Sequence, residues 1–369
     1  MVKAMLEQGK IDSKQAILLL ISLVLPTAIL TAPAITVKQA AQDAWLSIIV
    51  ATMIGLLIAG LVTGLSLFFP GKTLLEYAEE ILGRLPGKMV GLLYIWWFLH
   101  GNALILDEYA SFLCSALMPD TPVIVFFVFV TVVAALAVHS GLEVLSRFNQ
   151  LFLPLVLGLL LVVFLLAAKD MEATRLLPVF DKDAAAILKG AVIPASWFGE
   201  IVIFALLIPF LDRAEEAPRV AVTAILICGL YLLICILVVI MIFGPHVSAR
   251  WIFPTFNAIR VVSIANFLER LESIAIAVWM FGGFAKIGIF YYAAVLSSAQ
   301  WLGLKDYRPL VAPVGVVLVA LAALCRNIVE LLNFLATAWP PYALGLFEAG
   351  IPLLLLVVAR ARGRGGRGA

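Results

Sequence analysis

The most regular feature of this chain is its pattern of long apolar runs separated by short polar stretches. Each run approaches the roughly 20 residues that a helix needs to cross a bilayer. We therefore predict an all-α, polytopic membrane protein with about ten transmembrane helices. We place them at residues 15–37, 44–69, 87–114, 121–138, 146–168, 184–211, 217–243, 271–299, 308–325 and 341–360.

Two further stretches, 248–268 and 326–340, are only half apolar and carry Trp, Pro and charged residues. This mixture is typical of segments that lie at the membrane–water interface. No polar stretch is long enough for a soluble domain, so residues 1–369 are predicted to form a single transmembrane domain. The polar segment Met1 to Lys14 lacks the pattern of a signal peptide, and we expect the first apolar run to remain as a span.

Composition supports this class. Hydrophobic residues make up 64% of the chain and charged residues 13%, whereas soluble domains contain roughly 45–50% apolar residues. The net charge of +2 gives no footprint for a nucleic-acid partner. No catalytic motif and no metal-ligand spacing is present in the sequence, so we predict no enzyme activity, no cofactor and no metal site. The four cysteines lie in or beside apolar runs and are interpreted as reduced packing residues.

The distribution of basic residues between the loops predicts the orientation in the membrane. With the N-terminus inside, fifteen Lys and Arg residues fall on the cytoplasmic side and nine on the outer side. This bias favours cytoplasmic N- and C-termini. The basic tail, with Arg360, Arg362, Arg364 and Arg367, is expected to contact anionic membrane lipid.

Helix-breaking residues recur in the first and the sixth predicted spans. The first contains Pro26 and Pro33, and the sixth contains Pro194 and Gly199. Because five spans separate them, a second five-helix half would enter the membrane from the opposite face. We therefore predict two inverted repeats, at about residues 15–168 and 184–360, with discontinuous first and sixth helices and a ligand site at mid-membrane.

The predicted site is built on the two broken stretches. Unwinding in the first span would expose backbone groups and a helix N-terminus for a ligand carboxylate, while a simple proline kink is the alternative. In the sixth span, Glu200 is an intramembrane acid that should face a cavity or a partner, or else be satisfied locally by backbone or serine. A cavity of roughly 300 Å³ would suit a small ligand. The candidate ligand-binding residues here are Pro26, Thr27, Ala28, Ile29, Ser196, Trp197, Phe198, Gly199 and Glu200.

Two other spans are expected to complete the walls of this site. Asn102 in the third span lies near mid-depth, and the turn from Phe284 to Gly288 lies in the eighth. Lys286 is alone in the middle of that span and needs a partner, at a depth close to that of Glu200. A Glu200–Lys286 pair, with a possible role in proton coupling, is one hypothesis; separate local partners are the other. Elsewhere on the third span, Asp107 and Glu108 are interpreted as interfacial, and His100 lacks a second ligand at helical spacing for a metal.

The order of several short motifs resembles the B-subunit family of spore germinant receptors, a branch of the amino acid/polyamine/organocation transporter superfamily. The first-span segment from Pro26 to Pro33 is similar in spacing to that superfamily's Gly-Ser-Gly-Ile-Phe-x-x-Pro motif, with Pro26 and Ala28 in place of glycines. The more particular motifs are Gln42-Asp43-Ala44-Trp45-Leu46, Asp107-Glu108-Tyr109, Pro119-Asp120-Thr121-Pro122, Phe253-Pro254-Thr255 with Ile259-Arg260, and Phe267-Leu268-Glu269-Arg270-Leu271-Glu272 followed by Trp279.

The resemblance implies a LeuT-like fold of ten helices in two inverted five-helix repeats. It implies a site for a small germinant, typically an amino acid, between the first, third, sixth and eighth helices. It also implies residence in the inner membrane of a spore, beside a larger A subunit and a lipoprotein C subunit. An H⁺- or Na⁺-coupled amino acid secondary transporter is the alternative function, because one fold can serve both.

Overall fold

The computed structural model describes residues 9–261, 271–325 and 327–363, with the side chains of residues 271–275 excepted. Within those ranges the chain is a bundle of helices. The α-helices are α1 (Ser13–Ala40), α2 (Ala44–Leu67), α3 (Leu74–Leu82), α4 (Arg84–Leu117), α5 (Val123–Ser140), α6 (Leu142–Ala167), α7 (Ala184–Gly199), α8 (Phe204–Leu207), α9 (Ala217–Ser248), α10 (Pro254–Val261), α11 (Leu271–Leu302), α12 (Val311–Ala322), α13 (Ile328–Thr337) and α14 (Ile351–Ala361). A π-helix, Pro341–Gly350, leads into α14.

Eight helical stretches among the described residues are long and apolar enough to cross a membrane. One of them, Ser13–Leu67, holds both α1 and α2, which are separated by a 3-10 turn at Ala41–Asp43. Together with the shorter apolar stretch Arg308–Ala322, they account for the ten predicted passes. The spans begin and end up to a few residues from the predicted bounds, as helix ends usually do.

The outer surface of the bundle is apolar, as contact with lipid requires. Leu57 is 74% exposed, Phe129 67% and Leu165 67%, on three different spans. A water-soluble protein rarely leaves so many large apolar side chains in solvent. The polar side chains that are fully buried must therefore be explained by what they contact inside the bundle.

Both described ends of the chain lie on one face of the bundle, which we call the terminal face. Ile11 forms a parallel bridge with Leu211: its N–H donates to the Phe210 carbonyl at 3.0 Å, and the Asp212 N–H donates to the Ile11 carbonyl at 3.1 Å. Near the other end, the Arg362 guanidinium donates to the carbonyl of Ile81 in α3 at 2.6 Å. The opposite face, here called the loop face, carries the connections around residues 41–43, 168–183 and 323–327.

The conserved-looking pair Gln42–Asp43 anchors a loop on that face. Asp43 is completely buried, and its carboxylate accepts from the backbone N–H groups of Phe180 at 2.8 Å and Lys182 at 3.0 Å. Phe180 has a φ of 61°, a left-handed conformation that a phenylalanine adopts only when the surroundings hold it. Gln42 donates to the Pro178 carbonyl at 3.3 Å. The motif therefore fixes the long connection that precedes α7.

The first predicted helix break is wrong: α1 is one helix from Ser13 to Ala40, through both prolines. A proline removes one i→i−4 hydrogen bond, so Pro33 leaves the carbonyl of Ile29 without its usual donor. The Thr255 hydroxyl, from α10, donates to that carbonyl at 2.6 Å. Trp279 in α11 also donates its indole N–H to the Pro26 carbonyl at 3.2 Å. Neighbouring helices thus satisfy the backbone groups near the prolines, and the helix continues.

The second predicted break is confirmed as a change of helix type. The α-helical part of the sixth span ends at Gly199, and a 3-10 turn follows from Glu200 to Ile203. The short helix α8 and a further 3-10 turn, Ile208–Phe210, complete the crossing. All residues from Ala195 to Ile208 are buried, so this irregular stretch is enclosed by protein as membrane depth requires.

The two predicted interfacial segments contain short helices. Residues 248–268 include α10, and residues 326–340 include α13. The charged side chains of Glu269, Arg270 and Glu272 lie outside the described residues. The structure adds two elements that the apolar pattern did not indicate: α3 on the terminal face, and the π-helix in the last span.

Candidate functional site

A buried ion pair joins α11 to the irregular part of the sixth span. The Lys286 ammonium lies 2.7 Å from Glu200 Oε2 and donates to the Thr27 hydroxyl on α1, also at 2.7 Å. Lys286 is 0% exposed and Glu200 2%. The predicted Glu200–Lys286 pair is therefore confirmed, and Thr27 is a third member. The 3-10 turn brings Glu200 to this point because it begins directly after Gly199.

A second buried acid lies beside this pair. Glu108, on α4, is 2% exposed, and its Oε1 lies 2.8 Å from the Thr31 hydroxyl, one turn along α1 from Thr27. The same hydroxyl is 3.3 Å from the Thr27 carbonyl. The interpretation of Glu108 as interfacial is therefore wrong. Its neighbour in sequence, Asp107, is also buried, and its Oδ1 accepts from Ser111 at 3.4 Å.

A third buried acid, Glu348, was missed by the sequence analysis. It lies in the π-helix, is 0% exposed, and packs so closely on Gly199 that a Cβ there would overlap its carboxylate. Neither of its oxygens has a hydrogen-bond partner among the described residues. A lone carboxylate in the apolar stretch 341–360 was the available signal, since intramembrane acids mark functional sites. The helix-break pattern drew attention to other spans.

A closed cavity adjoins the pair. Its walls come from α1, α4, the sixth span, α13 and the segment that follows α13, and its volume is only about 10 Å³, room for one water molecule. The expected 300 Å³ space is absent from this structure. The lining residues are Thr27, Gly101, Leu104, Ile105, Glu108, Trp197, Glu200, Leu335 and Trp339.

Three of the predicted site residues, Thr27, Trp197 and Glu200, line this cavity, and Gly199 reaches Glu348. Other predicted residues make contacts elsewhere. Phe198 packs against Gly55 of α2, Phe284 contacts the ring of Phe148 on α6, and Gly288 faces Leu145 of the same helix. Those contacts follow from helix periodicity, because positions adjacent to a cavity-facing residue point to other neighbours.

The remaining predicted residues are buried in the surrounding helices. Asn102 donates to the Ile287 carbonyl at 3.3 Å, which joins α4 to α11 beside Lys286. Ser196 donates to the Ile193 carbonyl of its own helix at 2.6 Å. Pro26 packs against Gly282 of α11, and Ala28 and Ile29 are within 2% of complete burial. These side chains support the site without lining the cavity.

Residues 10–327 match the family described as spore germination protein. The chain is 26% identical over 359 residues to spore germination protein KB of Bacillus subtilis (strain 168), which covers 96% of this chain and 95% of that protein. It is 27% identical over 307 residues to spore germination protein A2 of the same organism, covering 82% and 83%.

Two solved transporters have a similar fold. The structure of MhsT in complex with L-phenylalanine has a TM-score of 0.65 at 13% identity and covers 94% of this chain and 98% of its own. The substrate-bound, outward-open structure of a Na⁺-coupled sialic acid symporter has a TM-score of 0.66 at 12% identity, covering 96% and 80%. At these identities the similarity shows the fold alone, and it confirms the all-α, LeuT-like architecture. Because the family match spans most of its length, the chain belongs to the spore germination protein family.

Proposed function

We propose that this chain is a membrane-embedded germinant receptor subunit that binds a small nutrient, an amino acid, and signals spore germination. The observation that carries the proposal is the buried Lys286–Glu200–Thr27 group beside a closed cavity at the middle of the bundle. Charges inside a membrane protein are costly to bury and occur chiefly where a ligand, ion or proton is handled. The relatives named as spore germination proteins give the physiological setting.

The residues around the cavity suit both charged ends of an amino acid. Glu108 and Glu200 offer carboxylates for an ammonium group, and Lys286 offers a cation for a carboxylate. A lysine ammonium has three N–H donors, and the described acceptors of Lys286 take two. The third is the donor for the ligand carboxylate. This role replaces the helix N-terminus that an unwound α1 would have supplied.

Ligand binding requires this cavity to grow, since about 10 Å³ holds no amino acid. The wall toward the loop face is the least anchored one, because it consists of the short helix α13 and the residues that follow it. Leu335 and Trp339 belong to this wall, whereas Thr27 and Glu200 belong to long, packed spans. A ligand would displace this wall, and the two resulting states give a receptor its signal.

The cellular setting of the proposal is the inner spore membrane, with both termini cytoplasmic. The terminal face then contacts anionic lipid through Arg360 and Arg362, and an A subunit and a lipoprotein C subunit are the partners that receive the signal. Quantitative co-purification of the three tagged subunits from spores would test this assembly.

An H⁺- or Na⁺-coupled amino acid secondary transporter is the second candidate. Two observations favour it: the likeness in fold to transporters, and several ionisable groups buried around one lysine. Transport needs net movement of ligand through the membrane, whereas a receptor needs only binding that differs between two states. Uptake of labelled amino acid into proteoliposomes, driven by a proton or sodium gradient, separates the two.

The direct test is calorimetry of the purified protein with a panel of amino acids. We expect one or a few to bind, and Glu108→Gln and Trp197→Leu each to weaken binding at least about tenfold, which corresponds to 1.4 kcal/mol. Trp251→Leu is the matched control, because Trp251 is 44% exposed and distant in sequence from the cavity lining. Unchanged affinity in both cavity variants would place the ligand elsewhere.

A further inference from the structure

Glu348 occupies an unusual position for an acidic residue. It lies in the interior of the last span, on a ten-residue π-helix, with 0% of its surface exposed. Both carboxylate oxygens lack hydrogen-bond donors among the described residues. π-Helices are rare and frequently occur at functional sites, because they cost stability. The side chain is thus held in an apolar setting by an uncommon backbone.

The backbone of this π-helix is fixed by an independent contact. In the i→i+5 pattern, Phe347 would accept from residue 352, which is a proline and has no N–H. The hydroxyl of Tyr94 in α4 donates to the Phe347 carbonyl instead, at 2.7 Å. The residue directly before Glu348 is therefore tied to a neighbouring helix, and the orientation of the acid is not incidental.

The charged and titratable groups that face Glu348 can be named for every element packed on the π-helix. The 3-10 turn after α7 contributes Glu200, and Lys286 of α11 is bound to that acid at 2.7 Å. α4 contributes Tyr94, and also His100, whose ring packs on Tyr342. α2 has no charged residue at all. Lys286 is thus the one cation among these groups, and Glu200 already holds it.

Charge counting then sets the protonation state. Glu108, Glu200 and Glu348 are all at least 98% buried, and one lysine is present for the three of them. An unpaired buried carboxylate is so costly that such a group takes up a proton instead. Glu348, without any donor, is the member with the strongest reason to be neutral.

The geometry at Glu108 supports the same count. Thr31 Oγ1 lies within hydrogen-bond distance of both Glu108 Oε1 and the Thr27 carbonyl, yet a hydroxyl has a single proton to donate. Both contacts become hydrogen bonds if Glu108 is protonated and donates to Thr31, which then donates to Thr27. The cluster is therefore balanced by one ion pair and two neutral acids.

We propose that Glu348 is a proton-binding site. It holds a proton in this closed state, and it exchanges that proton when water gains access to the Lys286–Glu200 pair. The ligand is the proton alone, and the assignment does not depend on which nutrient the protein senses or whether it transports one.

Infrared spectroscopy of the purified full-length protein in lipid nanodiscs tests the protonation state directly. A protonated carboxyl absorbs at a higher wavenumber than a carboxylate and shifts in D₂O. We expect Glu348→Gln to lose the intensity of one protonated carboxyl at neutral pH. Glu143→Gln is the control: that acid is paired with Arg147 at the surface, so its loss should reduce the carboxylate band instead. A protonated-carboxyl band that Glu348→Gln leaves unchanged would overturn the proposal.

A stability comparison keeps the test independent of spectroscopy. Glutamine is nearly isosteric with a protonated glutamate, so Glu348→Gln should keep its melting temperature within about 2 °C of the wild type. Glu200→Gln removes the partner of Lys286 and should lower it by about 6 °C or more. If Glu348→Gln fails to fold, or melts as early as Glu200→Gln, Glu348 is an ionised partner of the lysine and the proposal is wrong.

Discussion

Removing the lysine of the buried pair gives the sharpest test of how the site is held together. Lys286→Met leaves Glu200 as a 2% exposed acid without its cation, and it removes the donor to the Thr27 hydroxyl at 2.7 Å. Breaking a buried pair by removing one partner costs about 3–5 kcal/mol. At 1.4 kcal/mol per factor of ten, the ratio of folded to unfolded protein should fall by roughly two to nearly four powers of ten.

The double variant Lys286→Met with Glu200→Gln should be more stable than Lys286→Met alone. It leaves no isolated charge, and neutral replacement of a buried pair is often close to neutral in stability. The measurement is unfolding of all four proteins in mixed micelles, from which the coupling energy follows. The exposed pair Glu143–Arg147 on α6 is the control, with an expected coupling of about 0.3–0.5 kcal/mol. Coupling below about 0.5 kcal/mol between Lys286 and Glu200 would show that each is satisfied separately.

Three further substitutions test other contacts. Gly199→Ala should lower the melting temperature and weaken nutrient response, because a Cβ there overlaps Glu348, whereas Gly64→Ala, which meets open space, should change neither. Asp43→Asn should destabilise by about 1.5–3 kcal/mol and speed limited proteolysis between residues 177 and 183, because the loop loses a charged acceptor; an unchanged cleavage rate would contradict that role. Thr255→Val should cost about 1–3 kcal/mol in unfolding experiments by stranding the Ile29 carbonyl, and a loss below 0.5 kcal/mol would mean that Pro33 is accommodated otherwise.

Much of the fold could be predicted because membrane spans are written in composition. Every predicted span corresponds to a helix, and the order of motifs identified the family that the comparisons confirm. The unwinding of α1 could not be decided from Pro26 and Pro33. Its outcome depends on Thr255 and Trp279, which lie more than 200 residues away and meet α1 only in the folded bundle.

The candidate site was predictable in depth but not in azimuth. Counting residues from the membrane surface placed Glu200 and Lys286 at one level, and the structure joins them. Glu108 is buried because α4 turns it toward Thr31, a direction that a span's apolar average conceals. The ligand-binding role of the site residues and the division into repeats at 15–168 and 184–360 stay predictions.

The π-helix in the last span has a consequence for how sequences of this family should be aligned. A π-helical stretch takes one more residue between bonded partners than an α-helix does, so it behaves as an insertion within a helix of unchanged ends. Deleting one residue from Pro341–Gly350 would restore α-helical bonding with little change in span length. It would also rotate the positions before the deletion relative to those after it by about 100°, one residue of an α-helix. A gap-free alignment of this span between two relatives is therefore no guarantee that a matching glutamate faces the same neighbours.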